Sequence, residues 1–165
     1  MATFSDNLLE MAAQVIDAAN EHGVKVSTAE SCTGGLISGA LTAVAGSSSV
    51  VMGGIVSYAV PVKQSVLGVS AQTLETFGVV SEEVAFEMAC GACKITNSDF
   101  AVSTTGIAGP GGAEPGKPVG TVCLCVAKGG AKFESRTIHA TGNRDEVRLQ
   151  AVSTALEMLF LAINS

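Results

Sequence analysis

The stretch Ala29-Glu30-Ser31-Cys32-Thr33-Gly34-Gly35 packs a carboxylate, two hydroxyls and a thiol into seven residues that end on two glycines. An apolar strand pattern precedes it and a helical one follows, so it reads as a strand-to-helix turn. Backbone N–H groups at such a helix start lack intrahelical partners, which suits them to an anion or a developing oxyanion. Ser31 is then a candidate nucleophile, and the N–H groups of Cys32, Thr33 and Gly34 are candidate oxyanion donors. Simple helix capping by Ser31 or Thr33 accounts for the same residues equally well on local sequence alone.

Three further groups could complete a site. Ser57 and Tyr58 lead to Lys63, which is expected in the first turn of a short helix opened by Pro61. The positive helix end disfavours an ammonium there, and partial burial would leave the amine neutral enough to act as a base. An ordinary exposed lysine is the commoner fate of this residue type. Thr105, Gly106 and Gly109 belong to a glycine-rich loop, Thr104 to Gly112, that lets backbone approach a ligand. Arg144 and Arg148, four apart near the start of the last helix, share a face suited to a phosphate. Pairing with Asp145 and Glu146 is the alternative for them.

Positioning these groups takes alternating strands and helices. A first helix opens at Ser5 or Asp6, carries Leu8, Ala12, Val15, Ile16 and Ala19 on one face, and ends at Gly23. Strands are expected over Val24–Ala29, Val50–Tyr58, Phe100–Thr104, Val119–Ala127 and Lys132–His139. The last two flank the hairpin signal Lys128-Gly129-Gly130-Ala131. Leu36, Ile37, Ala40, Leu41 and Val44 mark a second helix. Ser70 and Gly78 bracket a short one. Ser81 caps another that runs to about Lys94, with Val84, Met88, Ala92 and Ile95 as its buried stripe. Asn143 and Glu146 form a capping-box pattern at the last helix, whose stripe is Val152, Leu156, Leu159 and Ile163. The fold class this describes is a single-domain α/β chain, residues 1–165. It is a three-layer α/β/α sandwich around a mixed, mostly parallel five-stranded sheet. The candidate loops after the first three strands fall where open α/β sheets bind ligands.

Composition limits what such a domain does. The 165 residues are 47% hydrophobic and 15% charged, which supports a packed core rather than disorder. Net charge is −6 with nine basic residues spread along the chain, so the basic footprint of a nucleic-acid binder is missing. No apolar run reaches the length of a membrane span, and residues 1–20 lack a signal-peptide pattern. The default location is therefore cytoplasmic. Cys90, Cys93, Cys123 and Cys125 read as inert core cysteines. No metal-ligand pattern is visible, because His22 and His139 are each isolated. Gly116-Lys117 is followed by Pro118, so no P-loop exists.

Read in order, the turn at 29–35, Gly78-Val79-Val80-Ser81, Thr105-Gly106-Ile107-Ala108-Gly109-Pro110-Gly111-Gly112, Lys117-Pro118-Val119-Gly120-Thr121 and Gly142-Asn143-Arg144-Asp145-Glu146-Val147-Arg148 resemble the CinA C-terminal domain family. This chain is similar to its stand-alone members, the nicotinamide mononucleotide amidohydrolases of the PncC type. The resemblance implies hydrolysis of the nicotinamide carboxamide to nicotinate mononucleotide and ammonia, in pyridine nucleotide salvage, without metal or organic cofactor. It implies a dyad of Ser31 as nucleophile and Lys63 as base, with Tyr58 positioning the ring or the dyad. Cys32, Thr33 and Gly34 would supply the oxyanion donors. Glu30, Thr105, Gly106, Gly109, Arg144 and Arg148 would bind the nucleotide. Active members often carry Ser-Asn after the tyrosine, where this chain has Ala59-Val60 followed by Pro61. A catalytically inactive, nucleotide-binding or regulatory member is the alternative reading. The expected partners are a small nucleotide and further copies of the chain (a dimer or higher homo-oligomer), with neither nucleic acid nor membrane.

Overall fold

The computed structural model describes residues 4–165, and every strand and helix inferred above is present within them. Helix α1 (Asp6–His22) leads into strand β1 (Val26–Glu30), helix α2 (Leu36–Thr42) and strand β2 (Val51–Val56). Two short helices, α3 (Val60–Ser65) and α4 (Ala71–Phe77), precede the longer α5 (Glu82–Thr96). Strands β3 (Phe100–Gly106), β4 (Thr121–Lys128) and β5 (Ala131–His139) follow, and α6 (Arg144–Ile163) closes the chain. The helix starts are set by short polar side chains that occupy orphan N–H groups. Ser5, Ser70 and Ser81 each accept from the N–H three residues on, and Asn143 and Glu146 close a reciprocal capping box.

The sheet order is β2-β1-β3-β4-β5. β1 runs parallel to both β2 and β3, whereas β4 is antiparallel to β3 and to β5, so four of the five strands point the same way. Helices α1, α2 and α6 cover one face, and α5 with the α3–α4 segment covers the other. The two faces are built from residues of different size. β4 turns Val122, Leu124 and Val126 toward α6 but Cys123, Cys125 and Ala127 toward α5. Since α5 presents Ala85, Ala89 and Ala92, small residues meet small ones and the helix lies close to the strands. Of the cysteines expected in the core, Cys93, Cys123 and Cys125 are buried, but Cys90 is only half-buried and its thiol donates to the Gly130 carbonyl. Ile95, expected in the buried stripe of α5, is 51% exposed. It faces a surface hollow beside Val66 and Leu67 in the α3–α4 connection, not the strands.

The sheet edges differ. β5 carries Lys132, Glu134 and Arg136, charges that discourage edge-to-edge pairing. β2 reads Val-Met-Gly-Gly-Ile-Val and carries none, with Met52 and Val56 each 49% exposed. Among the described residues no helix is long and apolar enough to cross a membrane.

The crossing of α5 over the α3–α4 connection depends on Gly91. A Cβ there would be driven into the backbone of Leu67, chiefly its carbonyl oxygen. Replacing a helical glycine by alanine normally stabilises by about 1 kcal/mol. Here Gly91→Ala should instead destabilise by roughly 1–3 kcal/mol through overpacking. A urea titration decides the sign, and a gain in stability would show that the helix is free to shift.

Candidate active site

The turn after β1 is organised by a buried carboxylate. Glu30 is fully buried, and its two oxygens accept five hydrogen bonds: from the hydroxyls of Thr28 and Thr33 and from the N–H groups of Gly35, Ile37 and Ser38. Those three N–H groups are the orphan donors at the start of α2, so Glu30 caps that helix from the preceding strand. Thr33 gives its only hydroxyl proton to Glu30 and therefore accepts one from Thr104, 2.8 Å away. This corrects two expectations. Neither Ser31 nor Thr33 caps α2, and Glu30 does not face a ligand, because its oxygens are committed within the turn.

With capping assigned to Glu30, the Ser31 hydroxyl is free for another partner. That partner is Lys63, whose Nζ lies 2.8 Å from Ser31 Oγ. The parallel ladder brings them together. Glu30 pairs with Val56, and the next N–H, that of Ser57, donates to the Glu30 carbonyl at 2.8 Å, which sets the end of β2 beside Ser31. The chain then turns through Ala59 into α3, whose fourth residue is Lys63. Lys63 is fully buried, not an exposed lysine. Its Nζ also donates to the carbonyls of Ser57 at 2.6 Å and Tyr58 at 3.3 Å. A neutral amine has two N–H donors and one lone pair. The two carbonyls take the donors, and the lone pair is left facing the Ser31 hydroxyl. The Ser57 hydroxyl, also buried, has no partner among the described residues.

Burial pulls the Lys63 ammonium down from 10.5 to about 8, since removal from water penalises the charged form. The free amine is therefore within reach near neutral pH, where an exposed lysine is almost wholly charged. Burial moves the neighbouring Cys32 thiol the other way, up to about 11. Cys32 therefore stays a thiol at neutral pH, packed into the core.

Ser31 forms the floor of an open-sided cleft of about 280 Å³, with Lys63 behind it and out of reach of the cleft. Tyr58, 62% exposed, stands on one side, and Thr105, Gly106 and Gly109 line another. The Thr105 hydroxyl does not point to a ligand: it donates to the carbonyl of Val79 at 2.9 Å and holds the Val79-Val80 wall in place. Arg144 spans the mouth, donating to the Gly109 carbonyl at 2.7 Å and to the Tyr58 hydroxyl at 3.2 Å. Arg148 is not beside it in the cleft. Its Nε donates to the Cys32 carbonyl and one terminal nitrogen to the Thr33 carbonyl, both at 3.1 Å, so the phosphate role expected of it is not what the geometry shows.

The Gly34 N–H donates to the Ser31 carbonyl at 3.1 Å and is not free for an oxyanion. Gly34 also has φ +59 with an Arg148 nitrogen 3.4 Å from where a Cβ would stand, so glycine fits both the backbone and the space. That leaves the N–H groups of Cys32 and Thr33, which have no hydrogen-bond partner among the described residues. Val79, Val80 and Ile107, quoted above within motifs but given no role, also line the cleft, as does Glu114, which was not singled out from the sequence. The apolar residues carry no local chemical signal. Glu114 could have been noticed as the one acidic residue between Gly106 and Lys117. Among the described residues no group of three His, Cys, Asp or Glu side chains could hold a metal ion.

A profile of the CinA C-terminal domain matches residues 8–163. A CinA-like protein of Mycolicibacterium gilvum is 48% identical over 142 residues, covering 86% of this chain and 34% of its own length. A CinA-like protein of Leptospira biflexa is 46% identical over 138 residues, covering 84% of this chain and 33% of its own. The chain thus spans about a third of the length of these curated relatives. Among solved structures, the competence/damage inducible protein CihA from Agrobacterium tumefaciens superposes with a TM-score of 0.94 at 46% identity, each chain covered completely. A competence-damaged protein (CinA) superfamily protein from Klebsiella pneumoniae superposes at 0.92 with 34% identity, over 96% of this chain and 99% of its own.

The depressed lysine has a consequence for stability. Between pH 8 and 10.5 the unfolded chain holds a proton on Lys63 that the native chain has released, so stability rises with pH across that window. The full rise corresponds to about 3 kcal/mol. Lys63→Met lacks the group, so the stability of the wild type minus that of the variant isolates the effect. Denaturant titrations from pH 7 to 11 should show that difference growing with pH, and a flat one would mean that the lysine is not depressed.

Proposed function

The chain belongs to the CinA C-terminal domain family, and from that premise we propose that it hydrolyses the carboxamide of nicotinamide mononucleotide to nicotinate mononucleotide and ammonia. The observation that carries the reading is the 2.8 Å contact between Ser31 Oγ, at the floor of a cleft, and a buried, depressed Lys63 amine. Family resemblance supplies the substrate; the cleft offers chemistry that suits it. Apolar Val79, Val80 and Ile107 suit a pyridine ring, and Arg144 at the mouth suits a phosphate.

In the proposed reaction Ser31 Oγ attacks the carboxamide carbon while its proton passes to the Lys63 lone pair. The oxyanion is stabilised by the N–H groups of Cys32 and Thr33. Lys63, now an ammonium, protonates the leaving nitrogen, and the C–N bond breaks to release ammonia and an acyl-serine. Water attacks that ester with Lys63 again as base, and the acid departs as Ser31 regains its proton. The two carbonyls hold Nζ in place in both protonation states, so the proton moves in and out without rearrangement of the lysine. Self-association is part of the proposal, and the uncharged β2 edge with exposed Met52 and Val56 supplies a surface for it.

Purified protein given nicotinamide mononucleotide should release ammonia, with kcat/KM rising tenfold per pH unit and levelling near pH 8 as Lys63 loses its proton. Ser31→Ala and Lys63→Ala should each lose at least about a thousandfold, while Cys32→Ala should stay near wild type. Equal rates in wild type and Ser31→Ala would remove the dyad. A wild type that binds the nucleotide and releases no ammonia would make this a binding module.

A further inference from the structure

We propose that Arg148 is a positioning residue that builds and polarises the oxyanion-binding turn, a role that rests on the reading of Ser31 as nucleophile. Three consecutive peptide groups make up this turn, and each has its carbonyl held. The Ser31 carbonyl accepts from the Gly34 N–H at 3.1 Å, closing a β-turn over residues 31–34. The Cys32 carbonyl accepts from Arg148 Nε and the Thr33 carbonyl from an Arg148 terminal nitrogen, each at 3.1 Å. The peptide plane then fixes what lies opposite, because C=O and N–H of a trans peptide point in opposing directions. Holding the Ser31 carbonyl orients the Cys32 N–H, and holding the Cys32 carbonyl orients the Thr33 N–H. These are the two N–H groups of the turn left without a partner among the described residues.

The arginine supplies direction and charge together. Its planar fork reaches two adjacent carbonyls through two nitrogens from α6, 116 residues further along the chain, whereas a lysine would have to reach both from a single nitrogen. A guanidinium on the oxygen end of a peptide draws electron density toward it and leaves the N–H end a stronger donor. Catalysis by an oxyanion site depends on donors that are already aimed when charge develops. The nearest acid, Asp145, is 3.7 Å from the guanidinium and 82% exposed, so solvent screens it and the charge acts on the turn. The donation to two carbonyls also explains why Arg148 does not reach the cleft, where Arg144 alone represents the pair.

Two measurements test this on the full chain. In steady-state hydrolysis of nicotinamide mononucleotide, Arg148→Gln should lower kcat about a hundredfold, with KM within twofold of wild type. Arg144→Gln, at the cleft mouth, should raise KM instead. Independently of substrate, the rate at which a fluorophosphonate labels Ser31, followed by intact mass, should fall by a similar factor in Arg148→Gln, since phosphonylation develops charge in the same turn. An unchanged kcat and labelling rate with a tenfold higher KM would make Arg148 a phosphate ligand and overturn the proposal. If wild type releases no ammonia while labelling is still slowed by Arg148→Gln, the substrate assignment fails and the role of Arg148 stands. Should Arg148→Gln lose its cooperative unfolding transition, Arg148→Lys decides by the same two measurements: a slowed labelling rate supports the role and a wild-type rate overturns it.

Discussion

A buried carboxylate at the end of the first strand governs this structure. Glu30 sits without solvent contact and satisfies five donors, three of them the backbone groups that begin α2. A charge taken out of water is tolerable only when its lone pairs are filled, and here the unsatisfied end of a helix fills them. Each side solves the other's problem. The helix gains a cap with a full negative charge, and the carboxylate gains oriented N–H donors. The result is that no side chain between Glu30 and α2 is needed for capping, so Ser31 is released to face the cleft. Thr104 and Thr33 extend the same network to β3 and tie the turn to two strands.

Around that fixed point the site is assembled from carbonyl groups as much as from side chains. The carbonyls of Ser57 and Tyr58, just past the end of β2, hold Lys63, and those of Ser31, Cys32 and Thr33 are held in turn by Gly34 and Arg148. Fixing one end of a peptide fixes the other, so the directions of the free N–H groups are set before any ligand arrives. The parallel pairing of β1 with β2 and β3 makes this possible, because it brings the C-terminal ends of all three strands to the same end of the sheet. Lys63 can then reach Ser31 after a descent of only six residues from Ser57.

The periodicity of the sequence made the fold legible. The five strands and the main helices lie where alternation and 3.6-residue spacing place them, with shifts of one or two residues at most ends. Of the cleft and its surroundings, Ser31, Lys63, Tyr58 and Arg144 were legible because their residue types carry chemistry and they lie just after a strand or in the first turn of the helix that follows it. Glu30 and Arg148 were identified as important but given the wrong partner. Both are charged residues that satisfy backbone groups, and residue type alone cannot distinguish a carbonyl from a phosphate as the target of an arginine. Thr105 shows the same limit, since its hydroxyl is spent on Val79. Ile95 failed for a different reason. It faces the hollow beside Val66 and Leu67, where it stays half-exposed, and helical spacing does not say what stands opposite a face.

The segment Ala59-Val60-Pro61 stands where the family resemblance leads one to expect Ser-Asn, and its structure explains why the difference leaves the contact between Ser31 and Lys63 in place. Residue 59 is the N-cap of α3, and Ala59 offers no side-chain hydrogen bond there, where a serine would supply one worth about 1 kcal/mol. Pro61 compensates in kind, because its fixed φ suits the first turn of a helix and its missing N–H needs no partner there. The exchange substitutes backbone rigidity for a capping hydrogen bond at the start of the helix that carries Lys63. The lysine itself is located by what it touches, the two carbonyls and Ser31 Oγ, and none of those three groups lies between residues 59 and 62. Whatever contact an asparagine at 60 would make to a substrate is absent, but the geometry that would activate the serine does not pass through that position.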